Sequence, residues 1–144
     1  MAGIIEQEAE LGALVRSMRS IAVVGIKDGE QDPDAPAYSI PLMLATSGHR
    51  VIGINPFVPE ALGHATLASV GEMTEAVDVL DVFRRVTALP ELAEQLLAMP
   101  ASNRPRAVWF QSGIRHDGVA AKLSAAGMDV VQDRCLGVYA RRYR

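Results

Sequence analysis

The sequence predicts an α/β domain in which a five-stranded parallel sheet carries helices on both faces. Three observations predict it. Short runs dominated by apolar residues recur at 21–26, 50–55, 76–83, 107–111 and 128–132, each the length of a buried strand. Between most of them stand stretches whose apolar residues follow helical spacing. Glycines and prolines punctuate the joins. Strands alternating with helices form parallel sheets, with right-handed crossovers.

The elements follow in order. Apolar residues at Ile4, Ile5, Leu11, Leu14, Val15 and Met18 share one face, so 4–18 is expected as a helix covering the sheet. The run Ile21-Ala22-Val23-Val24-Gly25-Ile26 is the first strand, with Gly25 where the strand should stop. Asp and Pro in 27–37 favour turns. A helix runs from about Pro36 or Tyr38 to Ser47, and Gly48 supplies a left-handed end. The second strand, Arg50 to Asn55, ends at Pro56, and a short helical turn near 68–73 leads to the third, Ala76 to Phe83. Pro90 suits the first turn of a helix over 89–99, and Pro100 stops it. Ala107 to Gln111 is the fourth strand. Asp117 is expected to cap a helix closed by Gly127, and Met128 to Gln132 is the fifth strand. The tail 136–144 is too short to assign. Five such units imply a Rossmann-like, three-layer domain over 1–144 with strand order 3-2-1-4-5.

Composition narrows the function. At 49% hydrophobic residues the chain can bury a core rather than remain disordered. A net charge of −3 argues against a general binder of nucleic acid or anionic membranes. No apolar run is long enough to span a bilayer, and the N-terminus carries Glu6, Glu8 and Glu10 where a signal peptide would be basic. The lone Cys135 excludes an internal disulfide and fits a reducing cytoplasm.

Open parallel sheets bind ligands beyond the carboxyl ends of their strands. Those ends deliver Gly25, Ile26 and Lys27; Asn55, Pro56 and Phe57; Phe83, Arg84 and Arg85; Gln111, Ser112 and Gly113; then Asp133, Arg134 and Cys135. Cations, amides and glycine backbone suit a phosphorylated ligand. The acidic residues Asp28, Glu30, Asp32 and Asp34 in the first loop oppose one. A dinucleotide site is disfavoured, because no G-x-G-x-x-G follows the first strand and Asn55-Pro56 replaces the acidic residue that would bind ribose. No G-x-x-x-x-G-K-[ST] occurs.

The set Val-Val-Gly-Ile, Ile-Asn-Pro, Asp-Val-Phe-Arg, Val-Trp-Phe-Gln-Ser-Gly-Ile and Val-Val-Gln-Asp-Arg-Cys, in that order from Ile21 to Cys135, resembles the small stand-alone CoA-binding proteins. These are similar to the CoA-binding domain of the succinyl-CoA synthetase α subunit. The resemblance implies CoA lying across the strand ends. It implies contacts from Gly25, Ile26 and Lys27, from Asn55 and Pro56, from Phe83 and Arg84, and from Gln111, Ser112 and Gly113. Ser39, in the opening turn of the second helix, is implied as a phosphate contact. Phe57 departs from the basic residue often found after Asn-Pro, the first loop is longer and more acidic than usual, and 100–105 looks inserted.

Each residue also has a plainer reading. Gly25 can simply end a strand, Arg84 and Arg85 can be surface charges, and buried Gln111 can bond backbone instead of ligand. His116 at a helix start and Cys135 read as structural, and three histidines with one cysteine show no metal spacing. Asp78 and Asp81, three apart on a strand, face opposite sides and make no acid/base pair. The expected function is therefore a cytoplasmic, non-catalytic module binding CoA or an acyl-CoA. The alternatives are a nicotinamide-dependent oxidoreductase and the CoA-binding subunit of an acyl-CoA synthetase that needs a second chain.

Overall fold

The computed structural model describes residues 3–144. Met1 and Ala2, which begin the acidic N-terminal stretch, lie outside the described residues. Five parallel strands form the main sheet: β1 (Ser20–Val24), β2 (Arg50–Ile54), β5 (Val79–Val82), β6 (Ala107–Phe110) and β7 (Asp129–Val131). A two-residue hairpin, β3 (Glu60–Ala61) with β4 (His64–Ala65), lies between β2 and β5. The sequence pattern gave no signal for this hairpin, because two-residue strands are too short to show alternation.

The expected class holds, with helices on both faces, but the order differs in one place. The sheet runs β2-β1-β5-β6-β7, so its third strand in sequence lies beside β1 rather than outside β2. In order-of-appearance terms this is 2-1-3-4-5, not 3-2-1-4-5. Burial explains the placement. β5 is buried at every position, as a strand flanked on both edges must be, whereas β2 begins with exposed Arg50 and is only half-buried through Gly53. The chain from β2 to β5 crosses to the opposite face. Doubly wound sheets of this order have their switch point between the first and third strands, here β1 and β5.

Two cores result. Helices α1 (Glu8–Ser17), α2 (Pro36–Thr46) and α5 (Leu136–Arg142) cover one face, burying Leu11, Val15, Leu44, Leu136 and Tyr139 against Ile21, Val23 and Trp109. Helices α3 (Leu89–Ala98) and α4 (Asp117–Ala125), with a 3-10 turn at Val70–Glu72, cover the other with Leu89, Leu96, Val119 and Leu123. Trp109 is fully buried; its indole N–H donates to the Arg134 carbonyl at 2.8 Å, so its polar atom is satisfied inside the core.

Three local expectations need correction. The leading helix starts at Glu8 rather than Ile4, because Gly3 to Ile5 pair in parallel with Val130 and cover the β7 edge. His116, not Asp117, caps α4, with its Nδ1 accepting from the Val119 N–H at 3.0 Å. The third strand is four residues, beginning at Val79 after Asp78 has used its carboxylate to accept from the N–H groups of Arg19 and Ser20. The tail forms α5, and the hydroxyls of its Tyr139 and of Tyr143 just past its end both donate to Glu8 and fasten it to α1. Among the described residues no helix is long and apolar enough to cross a membrane.

Candidate functional site

At the switch point the chain needs a residue without a side chain. Gly25 has φ +86°, and a Cβ placed there would sit 2.2 Å from the Phe83 carbonyl oxygen. Only glycine lets β1 and β5 close together at this height. Its N–H donates to the Ile54 carbonyl and the Phe83 N–H donates to the Val24 carbonyl, so the ends of β2, β1 and β5 are tied together. Beyond them opens a cavity of about 600 Å³ whose wall includes Gly25, Lys27, Asn55, Phe83, Arg84 and Arg85.

Asn55 organises the rim. Its Nδ2 donates to the Ile26 carbonyl at 2.9 Å, and its Oδ1 accepts from the Phe57 N–H at 2.9 Å. The side chain thus ties the first loop to the Asn-Pro-Phe turn, and both ends of its amide are engaged by backbone. A second cavity of about 340 Å³ adjoins the first, sharing Phe57, Arg84 and Ala88 with it. Pro56 lines this second cavity with Val24, Ile54, Val70 and Leu92, and Glu91 and Gln95 of α3 add polar groups.

The charges in the larger cavity are mixed. Lys27, Arg84 and Arg85 face Asp28 and Asp32. Among the described residues none of the three cations enters an ion pair. Asp28 spends one carboxylate oxygen on the Glu30 N–H, a turn within its own loop. Of the four acidic residues in that loop, only these two line the cavity. The opposition between this loop and an anionic ligand is therefore real but incomplete.

Other predicted residues lie elsewhere. Ile26 is 1% exposed in the core, and only its carbonyl reaches the rim, bonded to Asn55. Ser39 is exposed in a separate groove of about 280 Å³ between α2 and α5, beside Cys135 and Arg141. Ser112 and Gly113 stand exposed in the turn after β6 and line neither cavity; the Gly113 N–H donates to Asp133 at 2.6 Å. Gln111 is buried, and its Nε2 donates to Asp81 Oδ1 at 2.7 Å. Its partner is thus a side chain, an option the strand pattern did not offer. Asp81 is fully buried, its Oδ2 has no partner among the described residues, and burial pushes its carboxyl up to about 8. Arg134 donates to the carbonyls of Gln132 and Glu6, and is structural.

Two features escaped sequence reasoning. Glu91 and Gln95 reach the second cavity through their i, i+4 spacing on α3, a signal visible only once the face of α3 is known. Phe57 stood out as a departure but not as a wall of both cavities. Another depression, about 510 Å³, lies at the amino ends of the strands among Arg16, Arg19, His49 and Tyr143. Helices α1, α2 and α5 all end there, so its basic residues sit where helix carbonyl ends attract them.

The family model described as CoA binding domain matches residues 19–141. The protein YneT of Bacillus subtilis (strain 168) is 30% identical over 131 residues, covering 91% of this chain and 92% of YneT. The solved structure of cell-free ID.343 from Thermus thermophilus is 40% identical, superposes with a TM-score of 0.85, and covers 96% of this chain and 100% of its own. A hypothetical protein from Pyrococcus horikoshii OT3, 23% identical with a TM-score of 0.84 over 99% of this chain and 97% of its own, shares the fold.

Proposed function

Because the chain belongs to the CoA binding domain family, we propose that it binds coenzyme A, free or acylated, as a module that does no chemistry of its own. The observation that carries this reading is the crevice at the β1–β5 switch point. There the Gly25 backbone and three cations that enter no ion pair among the described residues, Lys27, Arg84 and Arg85, line one cavity. Arginine suits phosphate because its planar fork bonds two oxygens at once. A second cavity opening beside it, apolar along Val24, Ile54, Pro56 and Val70 and polar along Glu91 and Gln95, gives an elongated ligand a second seat.

Two groups that could serve chemistry are engaged by the fold. His116 Nδ1 accepts a helix N–H, which engages it as a cap. Asn55, which stands where a nicotinamide dinucleotide would want a carboxylate, has its amide bonded to backbone at both ends. A cytoplasmic setting is part of the reading, since Cys135 is a free thiol.

Isothermal titration of ligand-stripped protein tests the proposal. CoA or acetyl-CoA should bind and should not be displaced by NADH. No detectable heat with CoA, acetyl-CoA or a longer acyl-CoA removes it. Mass spectrometry of ligand released from fresh protein identifies any acyl group by its pantetheine-containing mass.

A further inference from the structure

We infer that Phe57 is the platform on which the adenine base of the ligand stacks; this rests on the CoA reading above. Phe57 is 86% exposed, the most exposed large apolar side chain among the described residues. A single exposed apolar residue is ordinary on a protein surface. This one is distinguished by where it stands. It walls both cavities, and it shares that position with the arginine best placed for phosphate, Arg84.

Its main chain is fixed while its ring is free. The Phe57 N–H is held by Asn55 Oδ1, Asn55 is held by the Ile26 carbonyl, and Pro56 restricts the preceding φ. A ring on a fixed stem loses little freedom when a second ring covers it, which favours stacking. The smaller cavity has the character of a base pocket. Its floor is Val24, Ile54 and Val70, its side is Pro56, and Glu91 and Gln95 stand one helical turn apart at its edge. A carboxylate accepts from an exocyclic amine, and an amide both donates to and accepts from an adenine edge. The polar, cationic cavity on the other side of Arg84 then holds the phosphates.

The test compares the two halves of CoA. Parent protein, Phe57→Ala and Phe57→Trp are titrated with CoA, with adenosine 3′,5′-bisphosphate and with 4′-phosphopantetheine. Phe57→Ala should weaken CoA and the bisphosphate by the same factor, about tenfold to a hundredfold. It should leave phosphopantetheine binding at the parent value and the melting temperature unchanged. Phe57→Trp should restore affinity, and its exposed indole should be quenched by CoA, apart from the emission of buried Trp109. If the parent binds CoA and Phe57→Ala binds it equally well, this inference fails and the CoA reading stands. If Phe57→Ala weakens phosphopantetheine and spares the bisphosphate, the ring covers the pantetheine arm and the inference is overturned. If the parent binds no CoA, both fall together.

Discussion

Arg84 is the side chain on which the site turns. It stands two residues past the end of β5, after Phe83, is half-buried, and lines both cavities without an ion-pair partner among the described residues. The expectation that it lies beside β2 is corrected by the strand order, yet the correction brings it closer to the switch point, since β5 pairs with β1. Replacing Arg84 with alanine should remove a charge-assisted contact worth on the order of 1.5–3 kcal/mol, a tenfold to hundredfold loss of CoA affinity. Arg84→Lys should recover only part, because an ammonium keeps the charge and loses the fork. Unchanged affinity in a protein of lower melting temperature would make Arg84 structural. The acidic loop yields a prediction of opposite sign. Asp32 is exposed and lines the same cavity as the cations. Asp32→Asn should tighten CoA binding by roughly twofold to fivefold at low salt, with the gain shrinking as salt screens it. A gain independent of ionic strength would mean that charge is not the cause.

At the scale of elements, the junction of β1 with β5 decides whether the crevice exists. Phe83 N–H donates to the Val24 carbonyl, and the Phe83 carbonyl occupies the space a Gly25 side chain would need. Gly25→Ala must move that carbonyl or abandon a left-handed backbone, costing on the order of 3 kcal/mol. The protein should melt roughly 10 °C lower, and CoA affinity should fall with it because Arg84 moves with Phe83. A Gly25→Ala protein with the parent's melting temperature would show that β1 and β5 tolerate separation. Most of these elements were legible in the chain. Apolar runs marked the strands, while Pro36, Gly48, Pro90, Pro100 and Gly127 marked helix ends where α2, α3 and α4 begin or stop. The order of the strands was not legible, because an apolar run states that a strand is buried without naming its neighbours. The site was half legible for a related reason. Gly25, Lys27, Asn55, Phe83 and Arg84 follow from the rule of strand ends and do share one cavity. Ser39, Ser112 and Gly113 also stand near strand or helix ends, but Ser39 lies in the groove between α2 and α5, and the turn after β6 leaves Ser112 and Gly113 exposed outside both cavities.

The whole molecule answers to Asp81, which stands at the middle of the sheet on β5 and is bonded across to Gln111 at the end of β6. Burial raises its carboxyl to about 8, against which the Gln111 amide and the Val82 backbone pull only weakly; an unfolded aspartate titrates near 3.8. Below about pH 4 the group is neutral in both states and the fold has its full stability from this residue. Between about pH 4 and 8 the unfolded chain loses the proton while the folded chain keeps it, so stability falls by about 1.4 kcal/mol for each pH unit. Above about pH 8 both states are ionised and the fall ends. Folding at pH 7 should accordingly take up a proton at Asp81, which calorimetry in buffers of different ionisation enthalpy will register. Asp81→Asn keeps the shape and an oxygen that accepts from Gln111, but cannot ionise. Denaturant titrations of this variant should show a stability profile flatter than the parent's across that window, with its advantage over the parent growing toward pH 8. The two profiles would run parallel if Asp81 were ionised inside the sheet, and a buried charge with one unpartnered oxygen would then need a donor that the described residues do not supply.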